Sequence, residues 1–89
     1  MRVISQNWNI DIPYEKGCFV LTGSDNGECW DIFAYVGDRV FKMAQYSTKE
    51  QAQKVFISLH TRTGEYYIFP LDEKDQKEGD AVFVAAKGL

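Results

Sequence analysis

Between residues 18 and 46 short, largely apolar strand-like stretches are separated by glycine-bearing turns, and the period of two along each stretch sorts its side chains onto two faces. Cys18–Thr22 is bounded by Gly17 and Gly23, and Ser24-Asp25-Asn26-Gly27 is a hairpin connection in which Asn-Gly accepts positive φ. Cys29–Val36, a tight turn at Gly37-Asp38, and Val40–Tyr46 follow. A two-residue turn sets Ala34 opposite Phe41 and Ile32 opposite Met43. Trp30, Ile32, Ala34, Phe41 and Met43 then share one face with Phe19 and Leu21, and that face must be covered. The opposite face carries Val20, Phe33, Tyr35, Val40, Ala44 and Tyr46, mixed with Asp31 and Lys42.

The period then changes. Ser47-Thr48-Lys49-Glu50 has the form of a capping box, with Ser47 as the cap. Ala52, Val55, Phe56 and Leu59 recur at helical spacing, which predicts a helix over residues 48–59 with its apolar stripe on the first sheet face. Arg2–Ser5 reads as an opening strand, Gln6–Lys16 as irregular, Glu65–Leu71 as a strand ending near Pro70, and Ala81–Lys87 as a final strand. The expected fold is α+β: an antiparallel sheet of about five to six strands, a meander of hairpins, with one amphipathic helix packed on one face.

Length and charge narrow the functional classes. Eighty-nine residues form a single domain, 1–89. Folding at this size buries roughly 64% of the unfolded surface, enough for a core without disulfides or metal. The net charge is −3, and five of the acids fall within residues 72–80 beside two lysines, so the eight acids and eight bases elsewhere cancel. No basic stripe is present to neutralise phosphates, which argues against nucleic acid as a partner. The opening MRVISQNWN turns polar after Ile4, and the longest apolar run, Ala81–Ala86, is far short of a bilayer span. These features predict a cytoplasmic protein without a membrane partner, with Cys18 and Cys29 as free thiols.

Two stretches resemble a known group. Ile4-Ser5-Gln6-Asn7 with Asp11-Ile12-Pro13-Tyr14-Glu15, and Tyr46-Ser47-Thr48-Lys49-Glu50 with Ala52, Lys54 and Val55, are similar to short uncharacterised proteins of prophages and mobile elements in Gram-positive bacteria. Phe69-Pro70 followed by Asp72-Glu73 is similar to that group's closing pattern. Trp8 departs from it, because a glycine commonly stands at that position. The resemblance implies a phage or mobile-element context and supplies no activity, cofactor or partner.

Chemistry-bearing residues are few. His60, the one histidine, falls at the end of the predicted helix, where interaction with the helix C-terminus accounts for it. One histidine and two cysteines at these spacings match no zinc signature, and the acidic segment lacks the pattern of an EF-hand. The chain reads as non-enzymatic and without a cofactor. Trp8, among Asn7, Asn9 and Asp11, either folds back to plug the end of the sheet or is presented to a partner, and Tyr14 follows Pro13 nearby. With Phe33, Tyr35, Val40 and Tyr46 on the second sheet face, these are the candidate binding residues. The leading expectation is an interaction protein that associates with itself, as a homodimer, with a host protein, or with both, in the sharper version inhibiting a host-defence protein. The alternative is a binder of a nucleotide-like ligand in a pocket formed by Trp8, Tyr14 and strand aromatics. A minimal enzyme built on Cys18 or Cys29 with His60 ranks last.

Overall fold

The computed structural model describes residues 1–73. The predicted strand Ala81–Lys87 and most of the acidic segment lie outside the described residues. Within them the chain is α+β, with β1 (Arg2–Ile4), β2 (Asp11–Pro13), a 3-10 turn (Tyr14–Lys16), β3 (Cys18–Gly23), β4 (Trp30–Val36), β5 (Arg39–Tyr46), α1 (Lys49–Thr61) and β6 (Tyr66–Ile68). The strands form two three-stranded sheets rather than one sheet of five or six. One is the expected meander, β3-β4-β5; the other has the order β2-β1-β6, antiparallel between β1 and β2 and parallel between β1 and β6.

The first hairpin turns one residue later than Asp25-Asn26, so Cys18 stands opposite Tyr35 and Thr22 opposite Asp31. Gly27 takes φ 71°, and the Ser24 hydroxyl accepts the N–H groups of Glu28 and Cys29, both at 3.1 Å. Moving the turn by one residue moves each cross-strand partner by two, so every side chain keeps its face. The second hairpin departs in a way that matters more. Ala34 does face Phe41, but Ile32 pairs with Ala44 and Phe33 with Lys42, so Met43 is an extra residue in a β-bulge. Beyond the bulge the alternation of β5 is inverted. Ala44 and Tyr46, expected on the second face, are therefore buried on the first.

The helix covers that first face as its spacing predicts. Ala52, Val55 and Leu59 pack into one core with Phe19, Ile32, Ala34, Met43, Ala44 and Tyr46, while Phe56 is half-buried at its margin. The cap falls one residue later than expected: Thr48 is extended, and its hydroxyl accepts from the Gln51 N–H at 3.3 Å. Ser47 is otherwise engaged. Its N–H and its hydroxyl both donate to the buried carboxylate of Asp72, at 2.8 and 3.0 Å. The side chain of Gln51 likewise holds the segment after β6, donating to Leu71 O at 3.2 Å and accepting from the Glu73 N–H at 2.9 Å.

Gln6 joins the two sheets. Its N–H donates to the carbonyl of the bulged Met43 at 2.8 Å. Its side-chain amide accepts from the Gln45 N–H at 3.1 Å and donates to Gln45 O at 3.2 Å, the pairing a neighbouring strand would supply. The same amide nitrogen reaches Pro70 O at 3.0 Å.

Candidate functional site

The loop from Ser5 to Ile10 is built around a hydroxyl with no solvent exposure. Ser5 Oγ accepts the Ile10 N–H at 3.1 Å and donates toward Asn7 Oδ1 at 2.7 Å and Asn9 Oδ1 at 3.3 Å. Its backbone closes the loop from both sides, with Ser5 N–H bonded to Ile10 O at 2.8 Å and Trp8 N–H bonded to Ser5 O at 2.9 Å. Trp8 emerges from this frame with φ 66°, a left-handed conformation that bulky residues seldom adopt. The residue is 60% exposed. Of the two readings open to Trp8, the plug is excluded: the ring lies at the surface.

Trp8 borders a groove of about 400 Å³ with Arg62, Tyr66, Tyr67, Phe69 and Pro70. Strand alternation in β6 points Tyr67 into the core and Tyr66 outward, leaving Tyr66 60% exposed like Trp8. The Tyr67 hydroxyl donates to Val55 O at 3.3 Å, and its ring meets that of Phe69 edge-on at 5.4 Å. Arg62, just past the helix end, lies 5.8 Å from the Tyr67 ring centroid and pairs with no carboxylate among the described residues. The groove thus offers two exposed aromatic rings, a buried aromatic floor and one cation.

The remaining candidates are scattered. Tyr14 does not join Trp8: it stacks on Phe19 with centroids 5.8 Å apart, and its hydroxyl lies 2.8 Å from His60 Nδ1. Tyr46 is no surface residue, because the Met43 bulge turns it into the core, where its hydroxyl donates to Pro70 O at 2.7 Å. Phe33, Tyr35 and Val40 do share the second face, with Phe33 half-buried, Tyr35 43% exposed and Val40 52% exposed. Asp31 and Lys42 cross that face as an ion pair at 3.5 Å, and Gln45 stands where alternation had placed Ala44 and Tyr46. The face is consequently more polar than the sequence implied.

Cys18, Cys29 and His60 are not brought together. Cys18 lies on the sheet face away from the helix, Cys29 Sγ accepts from Gln45 Nε2 at 3.3 Å, and His60 is engaged with Tyr14. Both cysteines are unpaired. Among the described residues no three His, Cys, Asp or Glu side chains converge as metal ligands, and no helix is long and apolar enough to cross a membrane. Neither a protein-family model, nor a curated protein, nor a solved structure matches the chain.

Ser5, Arg62 and Tyr66 are site residues that pattern reading missed. Tyr66-Tyr67 carried the signal, since adjacent aromatics in a strand must face opposite ways and one of them meets solvent. Arg62 carried none, because its position depends on how α1 meets β6.

Proposed function

We propose that this chain is a non-enzymatic interaction protein that binds a protein partner through the Trp8–Tyr66 groove. The observation that carries the reading is Trp8 itself. A tryptophan held left-handed and left exposed gives up stability twice, in backbone strain and in unburied aromatic surface, and such outlay collects at binding sites. The groove suits a loop or extended segment with an apolar or proline side chain to lie between Trp8 and Tyr66 and a carboxylate for Arg62. A cytoplasmic setting and a phage or mobile-element origin belong to the same proposal, and a host protein, defence proteins included, is the partner class it favours. Paired capture from host lysate tests it. Proteins retained by the wild type and lost with both Trp8→Gly and Tyr66→Ala support the reading; identical retained sets for all three baits sink it.

A further inference from the structure

A second surface calls for a partner of a different kind. β3 is an edge strand, paired only with β4 among the described residues, and Cys18–Gly23 contains neither a charge nor a proline to discourage a further strand. The Ser24 N–H to Cys29 O bond of 2.9 Å fixes which residues turn toward β4. By alternation, the backbone groups of Phe19, Leu21 and Gly23 point outward from the sheet. Along this edge runs an open groove of about 590 Å³ between β3 and α1, lined by Phe19, Val20, Leu21, Gln53, Phe56 and Ile57, with Ile57 61% exposed. The β6 edge is different, because Pro70 follows it closely and only three residues pair there.

The two ends of β3 carry opposite charge. Lys16 precedes the strand, while Asp25 and Glu28 flank its far end in the hairpin loop, and none of the three has an ion-pair partner among the described residues. We propose that this edge is the seam of a homodimer, in which β3 pairs antiparallel with β3 of a second copy about a two-fold axis that runs normal to the sheet, midway between the two Leu21 residues. Leu21 then faces its own counterpart, and Phe19 faces Gly23 of the second copy, so all the outward backbone groups pair. Each Lys16 arrives beside Asp25 and Glu28 of the other copy, whereas a parallel seam would bring like charges together. The result is a six-stranded sheet with both helices on one face and the two Ile57 side chains turned toward each other across the axis. The seam is separate from the Trp8 groove, so its failure would leave the interaction reading standing.

Sedimentation of the full chain at roughly 10–100 µM, a range that reports micromolar self-association, is the test. The wild type should be dimeric, and Ile57→Glu should be monomeric with unchanged circular dichroism. Lys16→Glu should weaken the dimer roughly three- to tenfold at low ionic strength, and adding Asp25→Lys and Glu28→Lys should restore it. Trp8→Gly should leave the dimer intact. A wild-type monomer throughout that range overturns the proposal, as does a dimer indifferent to both Ile57→Glu and Lys16→Glu. A monomer whose Leu21 amide resists hydrogen exchange would assign the edge to another occupant, residues 81–86 of the same chain among them, and equally overturns it.

Discussion

The Tyr46 hydroxyl and the Pro70 carbonyl are joined by a 2.7 Å hydrogen bond at the meeting point of the two sheets. Tyr46 has no solvent exposure, and the same carbonyl also receives the Gln6 amide at 3.0 Å. The bond ties the end of β5 to the chain leaving β6, and with it the wall of the Trp8 groove formed by Phe69 and Pro70. Tyr46→Phe keeps the packing and removes one of two donors to this oxygen. The expected cost is about 0.5–1.5 kcal/mol in urea unfolding. A neutral result would show that Gln6 alone satisfies Pro70.

The same phenol gives the protein an alkaline limit. Burial pushes its pKa well above the ordinary tyrosine value of 10.0, and the neighbouring Tyr67 and Asp72 push it further in that direction. The unfolded chain ionises Tyr46 first, so the favourable contribution is complete below pH about 10 and is lost as pH rises toward the folded value. Tyrosinate absorbance and circular dichroism should therefore show one tyrosine ionising only with unfolding. In Tyr46→Phe that coupled step should be missing; its persistence would assign it to another residue.

Trp8→Gly should stabilise the fold. A non-glycine residue in the left-handed region costs about 1–2 kcal/mol, part of which glycine returns through its greater freedom in the unfolded chain. A net gain of about 0.5–1 kcal/mol in denaturant unfolding is expected, together with loss of the partner contact. A destabilised Trp8→Gly would mean that the indole contributes packing despite its exposure.

Leu59 and Phe56 should separate the helix core from its margin. Leu59 is wholly buried, and Leu59→Ala should cost about 2–5 kcal/mol. Phe56 is half-buried at the groove beside β3, with its ring 4.7 Å from that of His60, so Phe56→Ala should cost less despite the larger deletion. Equal or reversed costs, read from thermal unfolding, would contradict the placement of α1.

The legible parts of the fold were those in which side-chain period and burial agree. Ala52, Val55 and Leu59 marked the helix face, and Phe19, Ile32 and Ala34 the sheet face beneath it. The bulge at Met43 was not legible, since an extra residue in β5 leaves an apolar pattern that alternation reads equally well without it, and it displaced Tyr46 from surface to core. β2 was missed because Asp11-Ile12-Pro13 carries turn-forming residues; it is a strand only because Val3 of β1 pairs with Ile12. The Ser47 box failed for a similar reason. Asp72, far along the sequence, occupies both groups Ser47 offers, and the cap passes to Thr48. At the candidate site the sequence singled out Trp8 and, in the Tyr66-Tyr67 pair, held a signal for one exposed aromatic, but that Tyr66 and Arg62 stand beside Trp8 came into view only with the parallel pairing of β6 on β1.

Gln6 has a further consequence for what the sheet can become. Its carboxamide and N–H occupy the outward backbone groups of Met43 and Gln45, and Arg39 and Lys42 charge the rest of the β5 edge. Among the described residues the β3 side of the meander carries no such substitute, while the β5 side does. In the proposed β3–β3 dimer the two outer strands of the joined sheet would both be β5, and each would meet a further chain with those groups already engaged. One glutamine, standing in for a strand, would then cap each end of that pair.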